Sequence, residues 1–211
     1  CSYFLSLSPN IVENVIKILG PAVNGLEVSD QKKIDDTLIS TDGTPNKAKL
    51  GANAILGISL ASAKANALDK KLWLFESLTP SAVRLPVPLM NVMNGGAHAN
   101  NGLDVQEFMI APVSSATFAE ALRMGSEIFQ SLKKIISEKG LSTAVGDEGG
   151  FAPKLKNNQE ALELVMMAIE KTGYRAGEDV YLALDVAATE FFADGQYNWE
   201  GSKITPEQMG E

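Results

Sequence analysis

Residues 105–140 read VQEFMIAPVSSATFAEALRMGSEIFQSLKKIISEKG, and the two halves of this stretch follow different patterns. VQEFMIAPV (105–113) is a short apolar run. TFAEALRMGSEIFQSLKKIISEKG (117–140) places its apolar residues at helical spacing and stops at Gly140, a residue suited to a helix C-terminus. The pattern recurs on both sides. VPLMNVMN (87–94), TAVGD (143–147) and VYLALDVAA (180–188) are further short runs, and NNQEALELVMMAIEKTG (157–173) is a second amphipathic helix ending at Gly173. Apolar runs alternating with long helices predict an α/β architecture, either a closed barrel or an open sheet.

Upstream the reading is helical. Ile11, Val12, Val15, Ile18 and Leu19 predict an amphipathic helix over 10–20 that ends at Gly20. A second helix is expected over 29–39 from a Ser29 cap, and a third over 45–69, opened by Thr44 and Pro45. The centre of the third, LGANAILGISLASAKANA, is apolar on most faces and rich in small residues, the mark of a buried helix with close neighbours. Three prolines in TPSAVRLPVP (79–88) break the pattern and place a domain boundary near Arg84.

The composition narrows the function. The chain has 211 residues, 45% hydrophobic, and a formal net charge of −8. Such an acidic chain repels phosphate backbones, so nucleic acid is not an expected partner. A small phosphorylated substrate stays open, because a metal ion can supply local positive charge. No apolar run approaches the ~20 residues of a membrane-spanning helix. The single cysteine, Cys1, gives no internal disulfide and suits a reducing compartment. The chain opens without Met, and Thr205–Pro206 begin a helix five residues before the last residue. Both ends are therefore expected to be cuts through a longer protein.

Polar residues gather where the runs end. Asp185 lies in an apolar run, where a carboxylate is costly unless it is paired or bound to a cation. Alternation puts Leu182, Leu184 and Val186 on one face and Tyr181, Ala183, Asp185 and Ala187 on the other. Asp185 is then either a metal ligand or an acid hydrogen-bonded to backbone near a strand end. Asp147-Glu148-Gly149-Gly150 offers a general acid at Glu148, with glycines permitting close approach, or a plain solvated turn. His98, the only histidine, sits in a Gly/Asn-rich loop of the kind that closes over a ligand, or is simply an exposed polar residue. Of Gln106 and Glu107, alternation sends one to the strand-end site and the other outward. P-loop, dinucleotide-binding, nucleophile-elbow and C-x-x-C signatures are all absent from the sequence.

Together these segments resemble the enolase family, over residues 10–211 and in the family's order. TDGTPNKAKLGANAILGISLAS (41–62) resembles the long helix of its N-terminal domain. PVPLMNVMNGGAHANN and DVQEFMIAPV resemble its first barrel strands and mobile loop, and AVGDEGGFAP and LALDVAATEFF its two acidic motifs. The resemblance implies a helical portion of the N-terminal domain over 1–84 and the first part of a (β/α)8 barrel over 85–211. It implies a cytoplasmic, homodimeric, Mg2+-dependent hydro-lyase interconverting 2-phosphoglycerate and phosphoenolpyruvate in glycolysis, by way of a metal-stabilised enolate. Glu148 matches the proton donor and Asp185 a Mg2+ ligand. His98 and Glu107 match substrate-contacting residues, and Gln106 a neighbouring position in the site. A non-catalytic protein on the same fold, and another enolase-superfamily enzyme, are the alternatives.

The match has departures. Residues 5–8 (LSLS) replace a Gly-Lys-Gly-Val stretch, and the family's N-terminal serine loop is expected to lie before residue 1. The family's lysine base and two further Mg2+ ligands are expected beyond Glu211. The 211-residue chain alone is therefore expected to be inactive, and its partial barrel to associate or pack loosely.

Overall fold

The computed structural model describes residues 10–79, 81 and 84–210. Cys1, the 5–8 stretch and Glu211 lie outside the described residues. The chain divides into two compact units, residues 1–84 and 85–211.

In the first unit, helix α1 (Ile11–Asn14) passes through a π turn (Val15–Leu19) into α2 (Gly20–Val23), so Gly20 does not end the helix as expected. Pro21 explains the widening. It has no N–H to donate, and its ring crowds the carbonyl four residues earlier. Bonding Gly20 N–H to the Val15 carbonyl relieves this by a π-type turn. A Cβ on Gly20 would lie 2.8 Å from that carbonyl oxygen, so only glycine fits.

Helix α3 (Gln31–Asp42) is capped by Asp30 rather than Ser29, through Lys33 N–H at 3.0 Å, and runs past residue 39 to Asp42. The buried Asp42 carboxylate accepts hydrogen bonds from Leu50 N–H (2.7 Å), Thr44 N–H (3.0 Å) and the Thr44 hydroxyl. These bonds fold the intervening residues into a turn, which delays α4 (Ala52–Asp69) beyond its expected start at 45. Leu19, Ile34, Leu38, Leu50, Ala54 and Ile55 form the core. The expected all-round burial of α4 is not met within this unit, since Leu56 and Leu60 are about half exposed. A short helix, α5 (Leu74–Leu78), follows.

The second unit is built on strands β1 (Met90–Asn94), β2 (Glu107–Ala111) and β3 (Tyr181–Asp185), in the order β1-β2-β3 with antiparallel neighbours. Thus β1 and β3 share a direction and β2 opposes them. The expected strand at 143–147 does not form: Val145 makes an isolated bridge to Phe151, which in turn bridges Met93 of β1 in parallel. A glycine-rich stretch between those bridges has little side-chain surface to bury against a sheet.

Phe108 and Ile110 point from β2 into a core shared with α6 (Phe118–Glu138) and α7 (Asn158–Lys171), where Ile128, Leu132, Ile136, Leu164 and Ile169 are fully buried. Burying each such side chain is worth about 1.5–3 kcal/mol. Thr117 and Asn157 cap the two helices, accepting from Glu120 N–H and Glu160 N–H. Gly140 and Gly173 follow their ends in the left-handed conformation, as expected.

A second sheet, not anticipated from the pattern, comprises β4 (Phe192–Ala193), β5 (Gln196–Trp199) and β6 (Ser202–Ile204). Its hairpins turn at Asp194-Gly195 and Glu200-Gly201, all four residues having positive φ, which matches the twist of the flanking strands. Helix α8 (Pro206–Met209) opens on the expected Thr205 cap. Among the described residues no helix is long and apolar enough to cross a membrane.

Candidate functional site

Strand register assembles the site. Asn94 at the end of β1 pairs with Glu107 at the start of β2, and Glu107 pairs with Asp185 at the end of β3. Because β2 runs against its neighbours, its N-terminal residue joins their C-terminal ones at one end of the sheet. Gln106 N–H donates to the Asp185 carbonyl at 3.1 Å, extending the pairing past the strand.

His98 follows β1 in a 3-10 turn, Gly96–His98. Its side chain is only 3% exposed, which overturns the reading of an exposed polar histidine. Nδ1 lies 3.6 Å from Glu107 Oε1, and Nε2 lies 3.9 Å from Glu148 Oε1. Both separations exceed a hydrogen bond. Among the described residues the buried His98 Nδ1 and Asn94 Oδ1 have no hydrogen-bond partner.

Glu148 arrives by a different route. The loop before Phe151 is threaded against the end of β1, with Asp147 N–H donating to the His98 carbonyl at 3.2 Å. Two glycines make this approach possible. A Cβ on Gly146 would meet the His98 carbonyl oxygen at 2.6 Å, and one on Gly150 would meet Asn94 Oδ1 at 2.7 Å. The Glu148 side chain remains 43% exposed, reachable by a small molecule.

The expectation for Gln106 and Glu107 needs correction. Neither faces outward: Gln106 is buried, and the Glu107 side chain is 18% exposed. Glu107 is flanked by Asn94 of β1 and Asp185 of β3, and Gly96 lies close against Gln106. Burial pushes the Glu107 carboxyl above its ordinary range. The charges of Asp185 and Glu148 push the same way, and His98 opposes them.

Asp185 is the last residue of β3 and is exposed, not sunk in an apolar strand. Its Oδ1 accepts Ala187 N–H at 3.1 Å, so the backbone-bonded arrangement is present. That bond leaves a carboxylate at the sheet's end, facing Glu107 across the register.

Ligand atoms of His98, Glu107 and Glu148 all lie within 4.8 Å of one another. Asp185 is not one of the three; it stands beside them as the register partner of Glu107. Two carboxylates and an imidazole are a donor set able to hold a divalent cation. Two residues escaped notice in the sequence. Asn94, fully buried, was legible only as part of a turn signal, and Asn101 only as part of a polar loop. Asn101 donates to the carbonyls of Asn94 (2.9 Å) and Pro153 (3.1 Å), pinning the histidine loop to β1.

Residues 82–209 match the family model described as "Enolase, C-terminal TIM barrel domain", and residues 4–78 match "Enolase, N-terminal domain". The chain belongs to the enolase family. A curated relative named Enolase from Bdellovibrio bacteriovorus is 60% identical over 199 residues, covering 94% of this chain and 47% of the relative. Another Enolase, from Beutenbergia cavernae, is 55% identical over the same coverage. The chain thus spans about half the length of these relatives. The antiparallel β1–β2 pair, followed by two helices and a third strand, is the portion of an enolase-family barrel carried here.

Proposed function

We propose that this chain supplies one side of the active site of an enzyme that dehydrates 2-phosphoglycerate to phosphoenolpyruvate and catalyses the reverse. The observation that carries the reading is the convergence of His98, Glu107 and Glu148 on one end of the sheet, with Asp185 paired across from Glu107. Three separate segments of an enolase-family chain bring acids and the only histidine to a single point.

Glu148 is the proton donor to the departing hydroxyl. Of His98, Glu107 and Glu148 it has the most open side chain, and it stands on a turn where a leaving hydroxide can be met. His98 and Glu107 contact and orient the substrate, and the glycine-flanked loop holding His98 screens it from water. Gln106, buried beside them, fixes the start of β2. Asp185 would hold Mg2+, assisted by the acidic surroundings. When bound, the cation would stabilise negative charge on the substrate carboxylate. Working as a homodimer in the cytoplasm, in glycolysis and without nucleic acid or membrane, belongs to the same proposal.

The test separates the two acids in the complete protein. Glu148→Gln removes the proton donor and leaves the other carboxylates in place. Turnover is expected to fall roughly 10²–10⁴-fold, as loss of a general acid does, and added Mg2+ should not restore it. Exchange of the C2 proton with solvent should survive, since it precedes loss of hydroxide. Asp185→Asn should instead weaken Mg2+ binding, and excess Mg2+ should recover part of the rate. If C2 exchange disappears in Glu148→Gln while substrate and Mg2+ still bind, the assignment of Glu148 is wrong.

A further inference from the structure

Asn158, the first residue of α7, is buried and occupies the centre of a polar clasp that includes none of His98, Glu107 and Glu148. Its Oδ1 accepts two consecutive backbone N–H groups, from Asp104 (3.2 Å) and Val105 (3.1 Å). Its Nδ2 donates to Glu200 Oε1 (3.0 Å) and Asp104 Oδ2 (3.3 Å). The same Glu200 oxygen accepts Asn158 N–H (2.9 Å), and Glu200 N–H donates to Asp104 Oδ2 (2.8 Å). Glu200 stands at the β5–β6 turn with φ 48°, the left-handed conformation its hairpin turn requires. Three segments far apart in sequence therefore meet on one amide.

The backbone they grip is the one on which the site hangs. Gly96 N–H donates to the Leu103 carbonyl (2.8 Å), and Gly95 N–H to the Gln106 carbonyl (3.0 Å). The contact is too close for a side chain, since a Cβ on Gly95 would come within 2.5 Å of the Val105 oxygen. His98 lies two residues beyond Gly96, and Glu107 one residue beyond Gln106. Residues 104–105, held by Asn158, thus lie between the two carbonyls that bond the start of the histidine loop. We infer that Asn158 and Glu200 are positioning residues, which set the placement of His98 against Glu107 from outside the acid cluster. The consequence for turnover rests on the roles proposed above for His98 and Glu107; the coupling itself does not.

The test is read at low micromolar concentration, where association is least, on the chain's single histidine labelled with carbon-13, whose ring gives one pair of proton–carbon NMR signals. In Glu200→Ala the His98 signals are expected to shift or broaden, while the methyl signals of Ile128, Leu132 and Leu164 in the core stay in place. Glu200→Gln keeps an acceptor oxygen for Asn158 and should return the His98 signals to their original positions. Asn158→Ala should perturb them further if it folds; Glu200→Ala serves where it does not. His98 signals in Glu200→Ala that superimpose on those of the unaltered chain overturn the inference. So does a displacement shared equally by the core methyls, which would show a general loosening. Either failure leaves the proposed chemistry of the acid cluster untouched, because the readout involves neither substrate nor turnover.

Discussion

Replacing Asn101 by alanine tests how firmly the histidine loop is fixed. The side chain is buried and makes three hydrogen bonds: Nδ2 to the Asn94 and Pro153 carbonyls at 2.9 and 3.1 Å, and Oδ1 from Leu103 N–H at 3.3 Å. Asn94, Leu103 and Pro153 are themselves buried, so bulk water does not reach the groups left behind. A buried polar group stripped of its partner costs about 1–3 kcal/mol. Simple addition overshoots, because a water molecule can enter the vacated space and bond two or three of these groups. A net loss of about 2–4 kcal/mol is therefore expected, at the high end for a single substitution. Urea unfolding at low micromolar concentration, followed by circular dichroism, gives the difference directly. The neighbouring exposed Asn100, changed to alanine, should stay within about 0.5 kcal/mol of the unaltered chain. An Asn101→Ala loss no larger than that of Asn100→Ala would refute the pinning of this loop to β1 and to Pro153.

Gly20→Ala reverses an ordinary rule: alanine in a helix usually gains about 0.5–1 kcal/mol over glycine, yet here its Cβ would press on the Val15 oxygen at 2.8 Å, so the thermal midpoint should fall. A rise would mean the π turn relaxes freely to α. Burial alone would raise the Asp42 carboxyl, but the Thr44 hydroxyl and the Leu50 and Thr44 N–H groups together hold it below its ordinary range. Its contribution to stability is therefore full above the unfolded carboxyl pKa and is lost as pH falls through the depressed folded value. Below pH about 4, the unaltered chain should lose stability more steeply than Asp42→Asn; parallel curves would exclude this role. Finally, among the described residues the far edge of β3 pairs with no strand, and Tyr181 and Leu184 on it are about half exposed. Such an edge recruits other strands, so light scattering should show association growing with concentration and reduced by Leu184→Lys. A chain that stays monomeric at high concentration would contradict it.

Periodicity alone determined the long helices α6 and α7, because an amphipathic stripe, a capping Thr117 or Asn157 and a terminal glycine all lie within the segment they describe. The same local logic drew β1, β2 and β3 out of their apolar runs and pointed to the polar residues at the ends of those runs, but it left a structural alternative open for Glu148, Asp185 and His98; the roles expected of them, and of Gln106 and Glu107, came from the family resemblance. It went astray where one local signal was overruled by another a few residues away. Gly20 reads as a stop until Pro21 forces a π turn that needs it. Thr44–Pro45 reads as a helix start until the Asp42 carboxylate captures the following N–H groups. Asp194-Gly195 carried a hairpin signal that the long-range alternation obscured. What no local pattern contains is direction and register. That β2 opposes its neighbours, and so brings its first residue to their last, is decided by hydrogen bonds between strands whose paired residues lie as far apart as Glu107 and Asp185, and that pairing depends on the whole core beneath them. The burial of His98 is likewise decided by distant parts of the chain: Gly146 and Gly150 let a far loop press against it, and Asn101 closes the loop from the other side. A carboxylate or a histidine can be picked out by its residue type, but its depth, its neighbours and its distance to the next acid exist only once the fold has placed them.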